Sequence, residues 1–238
     1  MKTFRFFIIV LLIFVSSNIE ARHIYLISVG VADYPGIKND LFLPVHDAED
    51  IYDLYNINTN TTSVLLTNSS AKKKRIVKEM RRLFGKAEKG DIVVLFFSGH
   101  GLPGGFVAYD DLLTYEEIRQ LFAESKAKNK MIIADACYSG DIRENSAKRF
   151  NDPKNNIMLF LSSRGDEYSG EYPKLRNGFF TTCLLRSLKG GADTNNDHII
   201  TAKELFAAVS AGVTTLSQDK QHPVMWGNFD NDMPVMIW

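Results

Sequence analysis

The feature that most constrains the fold is an alternation of two patterns. Short apolar runs rich in Val, Ile and Phe occupy His23–Val31, Ser63–Thr67, Asp91–Ser98, Lys130–Ala134 and Asn156–Ser162. Between and after them, apolar residues recur at helical spacing over Val45–Tyr55, Ala71–Lys86, Tyr115–Ser125, Phe179–Leu188 and Ala202–Val213. A strand that is apolar at every position must be covered on both faces. Strand–helix alternation then predicts an α/β fold, a mostly parallel sheet with helices on both faces. Thr114 and Glu117 form a T-x-x-E capping box that starts the third helix. The tail, Pro223–Trp238, reads as one or two further strands. Asp141–Asn155 is polar, charged and contains Pro153, so it reads as a surface linker.

The first residues are expected to lie outside this fold. Lys2 and Arg5 precede the unbroken apolar run Phe6–Val15, and Ser16–Ala21 follows as a short polar stretch with Ala21 at its end. This is the layout of a secretory signal peptide over residues 1–21, leaving one domain over 22–238. The run is shorter than the roughly 20 apolar residues needed to cross a bilayer. No cysteine lies near Ala21 to carry a lipid, so the expected product is secreted or periplasmic, with no stable membrane anchor after cleavage. Lys+Arg and Asp+Glu are both 28, so no net basic charge argues for nucleic acid. Lys72, Lys73, Lys74, Arg75, Arg81 and Arg82 read as the solvated face of a helix whose other face carries Ile76, Val77, Met80, Leu83 and Phe84.

The chain has two cysteines, Cys137 and Cys183. They could pair, but Cys183 sits in the helical pattern FFTTCLLRSL, where it fits as a small buried apolar residue. Cys137 then needs its own explanation. In open parallel sheets, functional groups gather beyond the carboxyl ends of the strands. One strand runs into Ser98-Gly99-His100-Gly101 and another into Asp135-Ala136-Cys137-Tyr138-Ser139-Gly140. A capped helix lies between them, so the two strands can be parallel neighbours and set His100 and Cys137 across one crevice. A thiol becomes a useful nucleophile beside a base, and histidine titrates near neutrality. Gly99 and Gly101 allow a sharp bend, and the amides of Gly101 and Cys137 are candidate oxyanion donors. Gly99–Gly104 also satisfies G-x-G-x-x-G. A dinucleotide site needs that motif to open a helix, whereas Gly104-Gly105-Phe106-Val107-Ala108-Tyr109 reads as a glycine turn and short strand.

These blocks resemble the histidine and cysteine blocks of caspase-like peptidases, most closely metacaspases and their bacterial relatives. The resemblance runs from the first strand to Gln221-His222-Pro223. It implies a caspase–haemoglobinase-like fold and a cysteine endopeptidase acting on peptides or proteins through His100 and Cys137, with no cofactor required for the chemistry. Asp135 stands where caspases carry Gln, and in the metacaspase-like group it resembles an acid lining the primary specificity pocket. Leu43-Pro44-Val45-His46-Asp47-Ala48 looks like the block that supplies the second acid, Asp47, and Ser98 resembles the third polar pocket residue. Two carboxylates in a narrow pocket favour Arg or Lys and repel Asp. Asp47 also suits the amino end of a helix on dipole grounds alone. A non-catalytic caspase-like binding module is the alternative. The linker Asp141–Asn155, with Arg143, Lys148, Arg149 and Lys154, is a candidate for self-cleavage.

One further motif stands near the tail. Residues 193–204 place Asp193, Asn195, Asp197, Thr201 and Glu204 at the oxygen-ligand positions of a twelve-residue EF-hand loop, so calcium is a candidate ligand. His198 holds the place usually given to Gly. The competing reading is a polar turn in which Thr201 and Glu204 cap the following helix.

Overall fold

The computed structural model describes residues 22–36, 40–136, 156–164, 167 and 175–237. The chain opens with β1 (Ile24–Gly30), α1 (Pro44–Asn56), β2 (Thr61–Thr67), α2 (Lys73–Phe84) and β3 (Ile92–Gly99). A small antiparallel meander comes next, β4 (Gly101–Leu102), β5 (Gly105–Val107) and β6 (Leu112–Thr114). The remaining elements are α3 (Tyr115–Ala123), β7 (Asn129–Ala136), β8 (Ile157–Leu161), α4 (Phe179–Arg186), β9 (Ile199–Thr201), α5 (Ala202–Leu216), β10 (Val224–Gly227) and β11 (Pro234–Ile237). The main sheet has the order β10-β8-β7-β3-β1-β2. Its strands are parallel except β10, which runs antiparallel along β8.

The central strands are mostly apolar because both faces are covered. On one face, Ile27, Val29, Val93, Leu95, Phe97 and Ile132 pack with Ile76, Met80, Leu83 and Phe84 of α2 and Ile118 and Phe122 of α3. On the other, Leu26, Val94, Phe96, Met131, Ile133 and Phe160 meet Ile51 and Tyr55 of α1, Phe180 and Leu184 of α4, and Leu205 and Val209 of α5. Two helices start at side-chain caps that the sequence places. At α3, Thr114 Oγ1 accepts the Glu117 amide while Glu117 accepts the Thr114 amide. The same reciprocal box between Thr201 and Glu204 starts α5. Cys183 carries a free thiol, half-buried on α4. Sequence reading missed β6 and β9, which are three residues each, too short to show a periodicity.

Two features of the sheet define its polar edge. First, β1, β3 and β7 are parallel, so their carboxyl ends lie together, with Gly30, Ser98 and Asp135 paired across the sheet. Second, α1 begins directly over β1. A Cβ on Gly30 would overlap the carbonyl oxygen of Pro44 and stand 2.8 Å from Ala48 Cβ. The missing side chain lets the first turn of α1 settle against the strand. Gly30→Ala is therefore expected to lower stability by about 1–3 kcal/mol through overpacking. A urea unfolding midpoint equal to wild type would show that this close docking carries no weight.

Candidate active site

The row Gly30–Ser98–Asp135 forms the floor of a small polar site. Strand pleating sends Ser98 and Asp135 to the face covered by α1 and α4, the same face as Phe96 and Ile133. Pro44 opens α1 at its first position, and Asp47 in the first turn is carried inward above the floor. Asp47, Ser98 and Asp135 are 2%, 2% and 6% exposed, so three polar side chains are withdrawn from water together. Ser98 Oγ donates to Asp47 Oδ2 at 2.8 Å. The structure thus brings together all three residues expected to line a pocket.

The roof is the amino end of α4. The Gly178 amide donates to Asp47 Oδ1 at 3.1 Å. Three residues on, Thr181 donates to Asp135 Oδ2 from its amide at 3.2 Å and from its hydroxyl at 2.8 Å. Helix amino ends carry unsatisfied N–H groups and partial positive charge, so they suit buried carboxylates. A Cβ on Gly178 would lie 2.7 Å from Asp135 Oδ2 and 3.6 Å from Asp47 Oδ2. Both acids converge on the bare backbone of this one residue. Just before it, Arg176 and Asn177 fasten the segment to α1 through Asp50, at 2.9 Å and 3.0 Å. Sequence reading missed the α4 contribution, although Asn177-Gly178 ahead of an apolar helical pattern is a start signal.

Burial, and then the charge of Asp135, push the Asp47 carboxyl well above the usual carboxylate range; bonds from Ser98, Gly178 and Asn177 oppose the rise only in part.

His100 is half-buried immediately beyond β3. Its amide donates to the Tyr34 hydroxyl at 2.9 Å, and its carbonyl accepts from the Val107 amide at 2.9 Å. Gly101, the expected oxyanion donor, is buried at the start of β4. The G-x-G-x-x-G stretch runs through β4 and a turn into β5 and opens no helix. Gly99 and Ala136 are the last paired residues of β3 and β7. Ala136 is held by Ser162 Oγ, which accepts from its amide at 3.2 Å and donates to its carbonyl at 3.3 Å. Gln221 Nε2 in turn donates to the Ser162 carbonyl at 2.9 Å. Cys137, the expected nucleophile and second oxyanion donor, comes directly after Ala136 and lies outside the described residues, as do Tyr138–Asn155 and residues 1–21.

In the 193–204 loop, Asp193 accepts the amides of Asp197 and His198, and Asn195 Oδ1 also accepts the Asp197 amide. Glu204 is engaged by Thr194 and Thr201. Asn196 and His198 take φ of 59° and 64°, the left-handed region that favours glycine. Among the described residues no group of three or more His, Cys, Asp or Glu is arranged to hold a metal ion. Oxygens of Asp193 and Asn195 accept hydrogen bonds within the turn, and those of Glu204 accept them from Thr194 and at the cap of α5.

The Asp47 shift has a consequence for stability. A carboxyl whose native pKa is raised binds its proton more tightly when folded. Its contribution is fully favourable below the unfolded value of about 4 and is lost as pH rises through the native value. Asp47→Asn is therefore expected to raise the melting temperature relative to wild type at pH 7–8, with the gain shrinking toward pH 4. Melting curves across that range check it; a variant less stable at pH 8 than at pH 4, relative to wild type, would contradict the shift.

A model of the Caspase domain family matches residues 24–233. Metacaspase-4 of Arabidopsis thaliana is 25% identical over 191 residues, covering 70% of this chain and 44% of that protein, so the chain spans less than half the relative's length. The fold is similar to Caspase-1 from Spodoptera frugiperda, with a TM-score of 0.69 at 13% identity over 90% of this chain and 89% of that one. It is also similar to a Geobacter sulfurreducens protein, with a TM-score of 0.68 at 16% identity over 90% and 99% of the two chains. Across a match that reaches from β1 almost to β11, through the His100 strand end and the acid pair, the chain belongs to the Caspase domain family of peptidases.

Proposed function

We propose that the protein is a secreted cysteine endopeptidase that cleaves after Arg or Lys through Cys137 and His100. The observation that carries this reading is the buried pair Asp47 and Asp135, set beside the strand ends that lead into His100 and Cys137. Burying two like charges costs stability, and a fold with no use for them would replace them with apolar residues. A cationic side chain entering beside them supplies the missing counter-charge and can bond both carboxylates. An Asp side chain in the same place would add a third negative charge.

The chemistry comes from residue types. The Cys137 thiol gives its proton to the His100 imidazole, and the sulfur attacks the scissile carbonyl carbon. The amides of Gly101 and Cys137 stabilise the oxyanion. The imidazolium then protonates the departing amine, leaving a thioester on Cys137. Water, deprotonated by His100, cleaves that thioester, releases the acid and restores the thiol. Export through residues 1–21 belongs to the same proposal and rests on their charge and hydropathy pattern.

Cys137→Ala and His100→Ala are each expected to lower kcat/KM on the order of a thousandfold or more, with melting temperatures near wild type. Near-normal turnover by folded Cys137→Ala would end the mechanism. A positional-scanning peptide library is expected to select Arg and Lys before the scissile bond. Asp135→Asn should cut that preference about tenfold or more while Thr181 still finds an acceptor. A profile favouring Asp would show that the pocket has the opposite sign.

A further inference from the structure

Resting on the assignment of His100 above, we infer that Tyr34 is a positioning residue for the His100 imidazole. Its hydroxyl lies between two strand ends. It accepts the His100 amide proton at 2.9 Å and donates to the Val107 carbonyl at 3.0 Å. His100 and Val107 are themselves joined, since the Val107 amide donates to the His100 carbonyl at 2.9 Å. One phenol therefore closes a three-bond ring around the point where β3 gives way to the β4–β5 hairpin. Its aromatic ring lies against the imidazole, with centroids 4.8 Å apart and planes tilted by 40°. The same side chain thus fixes the backbone that carries His100 and one face of its ring.

The neighbourhood is built around this contact. A Cβ on Gly99 would lie 2.7 Å from the Tyr34 hydroxyl and 3.2 Å from the Phe97 ring, and Gly99 takes φ of 153°, which disfavours other residues. Tyr34 is only 5% exposed, so its hydroxyl has left water and depends on these two partners. Its own loop is tied down as well. The Tyr34 amide donates to Asp40 Oδ1 at 3.1 Å, and the amides of Ala32 and Asp33 both donate to Asn68 Oδ1, at 2.9 Å and 3.1 Å. The phenol is held from behind and acts forward on His100. A general base must be held within a fraction of an ångström of its working position, and a shift near 1 Å can cost about a hundredfold in rate.

Tyr34→Phe keeps the ring against the imidazole and removes the bridge. The expected result, per active site titrated with an irreversible thiol reagent, is a fall in kcat of roughly 10- to 100-fold, with KM for an Arg peptide within about twofold of wild type. A second readout needs no substrate. Alkylation of Cys137 by iodoacetamide, followed by peptide mass mapping at pH 6 and pH 9, reports how well His100 supports the thiolate. Tyr34→Phe should slow it at pH 6 and leave it unchanged at pH 9. Gly99→Ala, which pushes a methyl against the same hydroxyl, should reproduce both effects, and Tyr25→Phe, at the far end of β1, should show neither. A purely structural role would reduce the titrated fraction and the melting temperature while per-site kcat and the pH 6 alkylation rate stay at wild-type values, and that result would overturn the inference. Slowed alkylation at pH 6 in a protein that cleaves no Arg or Lys peptide would support Tyr34 and sink the proposed specificity instead.

Discussion

Two carboxylates buried side by side repel each other and lose their hydration, and the functional edge of this protein is organised around meeting that cost. Asp47 and Asp135 arrive from different elements, a helix start and a strand end. Their counter-charge comes from a third, the amino end of α4, whose amides at Gly178 and Thr181 point at one acid each. The compensation is incomplete, because Asp47 remains well above its ordinary range. Under the proposed specificity, a fully neutralised pair would have little left to offer a cationic side chain. A wholly unsupported pair would be too unstable to keep. Stability given up at a site in this way is the usual mark of a functional constraint.

The same edge shows how backbone space sets chemistry. Gly30 admits α1, Gly99 admits the Tyr34 phenol, and Gly178 admits both carboxylates. At each of them an added Cβ would come closer than 3.0 Å to its nearest neighbour, so that neighbour would have to shift. The parallel register supplies the rest of the precision. Since Gly30, Ser98 and Asp135 are paired residue for residue across β1, β3 and β7, groups far apart in the chain are spaced by the fixed separation of strands. Ser162 and Gln221 then hold the last described residue before Cys137 from the opposite side.

What the sequence determined by itself is the fold class, the strand-end placement of His100 and the presence of an acid at 47 and 135. These are readable because periodicity, turn residues and caps are local, and the continuous apolar strands could only be buried between two helical layers. The capping boxes at Thr114 and Thr201 were legible for the same reason, as both partners lie within one turn. The tertiary structure alone decided that Asp47 would share a hydroxyl with Ser98, that α4 would cap the acid pair, and that Tyr34 would reach His100. Those contacts join residues 51, 131 and 66 positions apart. No local pattern specifies them, because their partners are chosen by strand register and by where helices can approach a bare backbone.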